Sequence, residues 1–263
     1  MDDREVGRYW EENAETWTKL SRMGMDVTRD NLNTPALLSI LPNVKGLTGL
    51  DIGCGEGHNT RLLAKQGAKM TAIDISKTFI RHAKEKEEEE SLGITYQVAN
   101  AVQLPFEDQH FDFAAAFMSL MDMAEPWRAI KEAYRVLKPG GFFQFSIIHP
   151  CFTSPPSKWV EDQKDNHIAR QCWDYFKEGF VEIEEWIFFL TPPELKKKLK
   201  KFRVPRFHFT FASWLNHLIN TGFIIERLHE PVASDEMVKR CPFLADTRII
   251  AQYLIVRCRK PEA

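Results

Sequence analysis

Residues 50–60 read L-D-I-G-C-G-E-G-H-N-T. Leu50 and Ile52 belong to an apolar strand, and glycines follow at positions 53, 55 and 57 before a helix-like segment. Glycine takes backbone conformations closed to other residues and lets a ligand lie against bare main chain. A strand, a glycine turn and a helix N-terminus form the usual ligand crevice of an open α/β sheet. The dinucleotide fingerprint needs its third glycine at position 58, where His58 stands, so the spacing disfavours an NAD site.

Strand-like and helix-like segments alternate on both sides of this turn. The predicted strands are 49–52, 70–73, 95–99, 111–117, 142–148, 223–228 and 253–258. Such alternation implies a parallel sheet with helices on both faces. We therefore predict an α/β fold with a Rossmann-like, doubly wound, mostly parallel seven-stranded sheet.

The chain divides into parts of different composition, which we interpret as one domain over residues 1–263. Residues 1–45 form a helical N-terminal arm, because apolar residues recur at helical spacing there. Residues 46–150 hold the glycine turn and the first five strands, and residues 207–263 complete the sheet. Residues 151–206, rich in Pro, Trp and Lys, interrupt the pattern after strand five and predict a cap insertion.

Composition and charge limit the partners. The chain is 44% hydrophobic and 27% charged, which is ordinary for a globular protein, and its net charge of -2 makes a nucleic-acid partner unlikely on electrostatic grounds. No apolar run approaches the roughly 20 residues that span a bilayer, and the N-terminus is too polar for a signal peptide. We expect a cytoplasmic protein without membrane contact, and the sequence carries no signal for an oligomeric state.

The five cysteines are scattered and odd in number, which indicates reduced thiols and no disulfide framework. His149, Cys151, His167 and Cys172 lie near one another in sequence but lack C-x-x-C spacing. We predict no metal site.

Asp74 follows the second predicted strand and should lie beside the glycine turn across a parallel sheet. A carboxylate there can accept hydrogen bonds from both hydroxyls of a ribose, with Ile75 as an apolar wall for the base. Folds that bind NAD use the same arrangement, so Asp74 indicates a nucleoside without identifying the cofactor. The alternative is an aspartate that caps the following helix.

Residues 99–112 read A-N-A-V-Q-L-P-F-E-D-Q-H-F-D. This stretch is close to the D-A-x-x-L-P-F-x-D-x-x-F-D pattern of small-molecule class I S-adenosylmethionine (SAM) methyltransferases, the group often likened to ubiquinone-biosynthesis enzymes. An acidic residue followed by G-x-G-x-G resembles the first motif of that family, and residues 111–141 resemble its fourth and fifth motifs in order and spacing. The resemblance covers residues 47–148 and, more weakly, 207–260, but neither the arm nor the cap.

The resemblance implies SAM as cofactor and S-adenosylhomocysteine as product. It places Asp51 and the backbone of Gly53, Cys54 and Gly55 against the amino-acid part of SAM. The adenine amine would donate to Asn100 and a ring nitrogen would meet the backbone of Ala101. Phe117 and Met118 would lie beside the methionine part.

Two positions depart from the family pattern. Asn100 replaces the usual aspartate; its amide oxygen can still accept a hydrogen bond, so we expect weaker selectivity there. Met121 and Asp122 stand where many members have histidines in the turn after strand four. A catalytic histidine is therefore sought elsewhere.

His149 ends strand five on the ligand-bearing edge, where it could act as general base since imidazole titrates near neutral pH. Its alternative role is a hydrogen bond that orients the cap. Arg29 or Arg22 of the arm could meet the carboxylate of SAM, as arms do in related methyltransferases.

The function predicted is transfer of a methyl group from SAM to a small-molecule acceptor in a pocket under the cap. One alternative is an RNA base methyltransferase, for which the basic run Lys196–Lys201 would supply a groove. A second is a SAM-binding regulatory protein without catalysis. An NAD-dependent oxidoreductase is disfavoured by His58.

Overall fold

A seven-stranded sheet forms the centre of the computed structural model, which describes residues 1–262. The strands of the chain are β1 (Thr48–Ile52), β2 (Lys69–Asp74), β3 (Thr95–Val98), β4 (Phe111–Phe117), β5 (Leu137–Ile148), β6 (Ser157–Glu161), β7 (His167–Cys172), β8 (Gly179–Trp186), β9 (Phe202–His208), β10 (Ile224–His229) and β11 (Tyr253–Arg259). The sheet has the order β10-β11-β5-β4-β1-β2-β3. Strands β3, β2, β1, β4 and β5 run parallel, and β11 is antiparallel to both β5 and β10. The predicted fold class is confirmed.

Helices cover the sheet, and capping residues fix the start of α4 and the end of α8. They are α1 (Asp3–Arg22), α2 (Thr34–Ser39), α3 (His58–Lys65), α4 (Lys77–Glu90), α5 (Pro126–Val136), α6 (Pro150–Thr153), α7 (Pro193–Lys196), α8 (Phe211–Thr221) and α9 (Asp235–Arg240). Ser76 caps α4 by accepting from the Phe79 amide at 3.1 Å. Gly222 ends α8 in the left-handed conformation, with φ 104°.

The arm differs from the regular helical segment predicted for residues 1–45, because it contains a π-helical turn. A π-helical turn over Arg29–Asn33 precedes α2, and the Thr34 amide donates to the Arg29 carbonyl. The next residue, Pro35, has no amide hydrogen to continue a regular ladder. This wider turn brings Arg29 and Asn33 to the ligand edge of the sheet, where both line the cavity described below.

Strand β5 also begins earlier than expected. The predicted start at Phe142 followed the turn signal Pro139-Gly140-Gly141, yet Leu137 already pairs with Phe111. The next aligned pair along the strand is Phe113 with Phe142, so the proline and glycines are taken up as a bulge inside the strand.

The cap and the arm share one hydrophobic cluster. In the cap, β8 pairs antiparallel with β9, and β6 pairs antiparallel with β7. Leu20 of α1 packs with Phe188 and Phe202 of the cap, and the rings of Trp17 and Phe202 are 4.7 Å apart. Asn13 of α1 also donates to and accepts from the Arg203 backbone, at 3.0 Å each. The arm and the cap are therefore joined both by apolar packing and by hydrogen bonds.

Candidate functional site

A cavity of about 940 Å³ lies where the core, the arm and the cap meet. Its core wall is the edge formed by the carboxyl ends of the parallel strands. The arm contributes α1 and the π-helical turn, and the cap contributes β8, β9 and the segment after β8. The volume is at the upper end of the range for small-molecule sites.

Most of the residues predicted to contact a cofactor line this one cavity. They are Arg29, Gly53, Cys54, Gly55, Asp74, Ile75, Asn100, Ala101, Phe117 and Met118. They come from the arm, the glycine turn and the ends of β2, β3 and β4. Three predicted site residues do not line it: Arg22, Asp51 and His149.

The glycine turn is bound to β2 by its main chain. The amides of Gly53 and Cys54 both donate to the Ile73 carbonyl at 2.9 Å. Gly55 has φ 55°, and a Cβ placed on it would meet no atom of residues 1–262 within 4 Å. Its backbone is therefore bare toward the cavity.

Asp74 joins this turn to the start of α4. Its Oδ2 accepts from the Gly55 amide and its Oδ1 from the Ser76 amide, both at 2.9 Å. Burial raises the pKa of Asp74 to about 6, although these amide hydrogen bonds oppose the rise. Each carboxylate oxygen has two acceptor positions, so one on each remains for a ligand hydroxyl.

Asp51 is fully buried behind the turn. Its Oδ2 accepts from the Thr60 hydroxyl at 2.6 Å, but its Oδ1 has no hydrogen-bond partner among residues 1–262. Burial raises the pKa of Asp51 to about 7. A buried acceptor without a donor costs roughly 1–3 kcal/mol, so a bound donor or a water would stabilise this site.

The π-helical turn presents a guanidinium to the cavity. Arg29 donates from Nε to Asp30 at 2.7 Å, and its side chain is 14% exposed. Arg22, the other arginine considered for this role, bonds instead to Glu56 at 3.1 Å and to the His82 carbonyl at 3.0 Å. Arg22 does not line the cavity, so of these two arginines Arg29 is the one that an anionic group of a ligand could reach.

His149 lies outside the cavity, contrary to a general base that faces a substrate. Its Nδ1 accepts from the Cys151 amide at 3.3 Å, and its Nε2 lies 3.0 Å from Oε1 of Glu230. Burial lowers the pKa of His149, and Glu230 opposes that effect. Both ring nitrogens are engaged at the N-terminus of α6, which fits the alternative role of orienting the cap, and the general-base role stays a prediction.

Asp122 lines the cavity, although no role was predicted for it from the sequence. It ends the 3-10 turn Leu120–Asp122 after β4, and within residues 1–262 no hydrogen bond or ion pair engages its carboxylate. Burial and the nearby Glu184 of β8 raise its pKa well above the usual range. Arg206 of β9 pairs with Glu184 at 3.1 Å and leaves Asp122 unpaired. The signal that could have found it is an acidic residue in the turn that follows a buried central strand, five positions after the end of β4.

The described residues were also compared with the requirements of a metal site, a membrane-spanning helix and a basic groove for nucleic acid. Across residues 1–262, no group of three or more His, Cys, Asp or Glu side chains is arranged to hold a metal ion. No helix in the described part of the chain combines the length and apolarity needed to cross a membrane. The basic run Lys196–Lys201 does not line the cavity.

Comparisons with known proteins agree with this geometry. Residues 50–145 match the family model described as a methyltransferase domain. A ubiquinone biosynthesis O-methyltransferase of Coxiella burnetii is 38% identical over 109 residues, and a 27-O-demethylrifamycin SV methyltransferase of Amycolatopsis mediterranei is 34% identical over 111. These matches cover 41% of this chain, and 47% and 41% of the two relatives, so the chain spans less than half of either.

The solved structures give a longer match. An S-adenosylmethionine-dependent methyltransferase of Mesorhizobium loti is 29% identical, with a TM-score of 0.71 over 86% of this chain and 96% of that protein. The similarity therefore extends beyond the glycine turn to most of the chain.

Proposed function

We propose that this chain, which belongs to the class I SAM-dependent methyltransferases, transfers the methyl group of SAM to a small-molecule acceptor held under the cap. A single observation carries the proposal: one cavity joins the glycine turn and Asp74 at its core wall to an aromatic cap wall. Donor and acceptor would thus share one enclosed space.

The chemistry of the core wall fits SAM. The buried, unpartnered Oδ1 of Asp51 lies behind the glycine turn and could meet the ammonium of the amino-acid part through a water, and Arg29 of the cavity wall suits its carboxylate. The free acceptor positions of Asp74 suit the two ribose hydroxyls. Ala101 and Asn100 would meet the adenine. When bound, SAM supplies a methyl group on a positively charged sulfur.

The protein would accelerate the reaction by holding the acceptor in line and excluding water. Trp17 of the arm and Trp186 and Phe188 of the cap line the cavity and belong to the shared cluster, so the acceptor end is walled by fixed aromatic side chains. Such walls suit a compact, partly apolar molecule better than a polynucleotide. Two relatives are named as a ubiquinone biosynthesis O-methyltransferase and a 27-O-demethylrifamycin SV methyltransferase. Both names also favour a small acceptor with a hydroxyl group.

Asp122 would take the proton that the acceptor loses. Asp122 lines the cavity, none of residues 1–262 pairs with its carboxylate, and burial together with the nearby Glu184 raises its pKa and therefore its affinity for a proton. This role is an alternative to the general-base role predicted for His149.

The test is a screen of metabolite extracts with SAM that carries an isotopic label on its methyl group, read by mass spectrometry. A labelled small molecule that appears only with active protein supports the proposal. If SAM binds and no extract yields a labelled product, a regulatory SAM-binding protein is favoured. If label enters RNA alone, the small-molecule acceptor is wrong.

A further inference from the structure

Helix α1 packs against the edge of the sheet where the predicted cofactor residues lie, through Gly7 and Glu11, which are four positions apart. A Cβ on Gly7 would lie 2.9 Å from Cδ1 of Ile75, so the helix backbone touches the wall predicted for the adenine. Glu11 accepts from the Ser76 hydroxyl at 2.6 Å and from the Thr78 hydroxyl at 2.8 Å. Residues at this spacing share one helix face, so these contacts set which side of α1 points to the site.

Asp3 is one turn before Gly7 on that same face. It lines the cavity together with Asn100 and Ala101, and burial raises the pKa of its carboxyl group while the neighbouring Asn100 side chain opposes that rise. Asp3 is not needed to cap its own helix, since Asp2 does so by accepting from the Glu5 amide at 2.9 Å. The Asp3 carboxylate is thus a charged acceptor delivered to the cavity by a rigid element.

The Asn100 side chain keeps one free acceptor position for a ligand. Its Oδ1 accepts from the Val102 amide at 3.1 Å, and its amide group can only donate to Asp3. An exocyclic adenine amine carries two N–H donors and requires acceptors. Asn100 alone therefore cannot accept from both N–H groups of the adenine amine, whereas its own amide group can donate to Asp3.

We propose that Asp3 of the arm supplies the carboxylate that recognises the adenine amine of the cofactor, with Asn100 as the residue that positions it. This inference rests on the proposed function, because it concerns the same SAM site. It makes the arm part of the cofactor site and gives the chain an acidic acceptor from α1 in place of one at the end of β3.

Calorimetry with two ligands tests the inference without any knowledge of the methyl acceptor. S-adenosylhomocysteine carries the amine, whereas S-inosylhomocysteine carries a carbonyl oxygen at the same place and would face the Asp3 carboxylate unfavourably. The full-length protein should prefer the adenosyl ligand by at least about tenfold. Asp3→Asn should weaken adenosyl binding by roughly 10–100-fold, the usual range for a hydrogen bond to a charged group, and bring the ratio of the two affinities close to one.

Glu12→Gln is the matched control, because Glu12 lies on the exposed side of α1 and its substitution removes the same charge. It should leave both affinities within about twofold of the wild type, and thermal unfolding should show Asp3→Asn to be folded. If Asp3→Asn keeps the wild-type affinity ratio while Asn100→Ala abolishes it, Asn100 reads the base and the inference is wrong. If the wild type binds no S-adenosylhomocysteine, the proposed function fails first and this inference falls with it.

Discussion

The substitution Asp51→Asn should stabilise the ligand-free protein while it weakens the cofactor site. Asp51 is fully buried, and its pKa rises from 3.8 to about 7 because burial penalises the charged form. At 1.36 kcal/mol per pKa unit, that difference corresponds to a cost of about 4 kcal/mol when the carboxylate is ionised in the folded state. An asparagine removes this charge and keeps an oxygen for the Thr60 hydroxyl.

The amide nitrogen of the new asparagine would lack an acceptor, which costs about 1–3 kcal/mol. The net gain in the free energy of unfolding near pH 7.5 is therefore about 1–3 kcal/mol. The gain must depend on pH. Because the folded-state pKa of Asp51 is above the unfolded value, the native state binds the proton more tightly, and wild-type stability falls as pH rises from about 4 to about 7.

Urea unfolding of both proteins between pH 4 and pH 8 measures this difference. Asp51→Asn should be the more stable protein at pH 7.5, and its advantage should disappear toward pH 4, where the wild-type carboxyl group is neutral. S-adenosylhomocysteine should bind the variant more weakly by about 1.5–3 kcal/mol, since the charged partner of its ammonium is gone. A variant less stable than the wild type at pH 7.5, or a difference constant across the pH range, would refute the reasoning.

Four further substitutions have definite expected outcomes. Asp74→Ala should weaken binding of S-adenosylhomocysteine by about 1.5–3 kcal/mol in calorimetry, because charged hydrogen bonds to the ribose are lost; unchanged affinity would remove Asp74 from the site. Gly57→Ala should lower the free energy of unfolding by about 1–3 kcal/mol or more, because φ is 84° and the new Cβ would lie 2.5 Å from Oη of Tyr96. His149→Ala should keep kcat within about twofold, while Asp122→Asn should lower kcat by roughly 10²–10⁴ if Asp122 takes the proton; the reverse pattern would favour His149 as the base.

Gly24→Ala is the control for the glycine substitution. Gly24 also has a positive φ of 76°, but a Cβ there meets no atom of the described residues within 4 Å. It should therefore show the backbone cost alone, and the excess measured for Gly57→Ala reports the contact with Tyr96.

The core of the fold could be predicted from the sequence, because the patterns that indicate its strands and helices are local. The alternation of apolar strands with helices is a local pattern, and all seven predicted strands lie in the central sheet, although β5 begins earlier than predicted; the Ser76 cap and the Gly222 stop also act within a few residues. The glycine turn and Asp74 were also predictable together, since parallel strands bring their carboxyl ends to one edge.

The remainder of the site depends on contacts between distant segments. Nothing near position 149 indicates that both nitrogens of His149 are engaged, because its partner Glu230 is far away in sequence. The position of Asp122 opposite Glu184 follows from how the cap folds back over β4. Asp3 reaches Asn100 only because α1 lies along the cofactor edge. Such pairings are set by tertiary packing and leave no periodic trace in the chain.

The measurement that tests the central claim most directly is a calorimetric titration of the full-length protein with S-adenosylhomocysteine and, separately, with NADH. We predict saturable binding of one S-adenosylhomocysteine per chain and no heat of binding for NADH. Tight binding of NADH with no response to S-adenosylhomocysteine would contradict the assignment of this cavity to SAM.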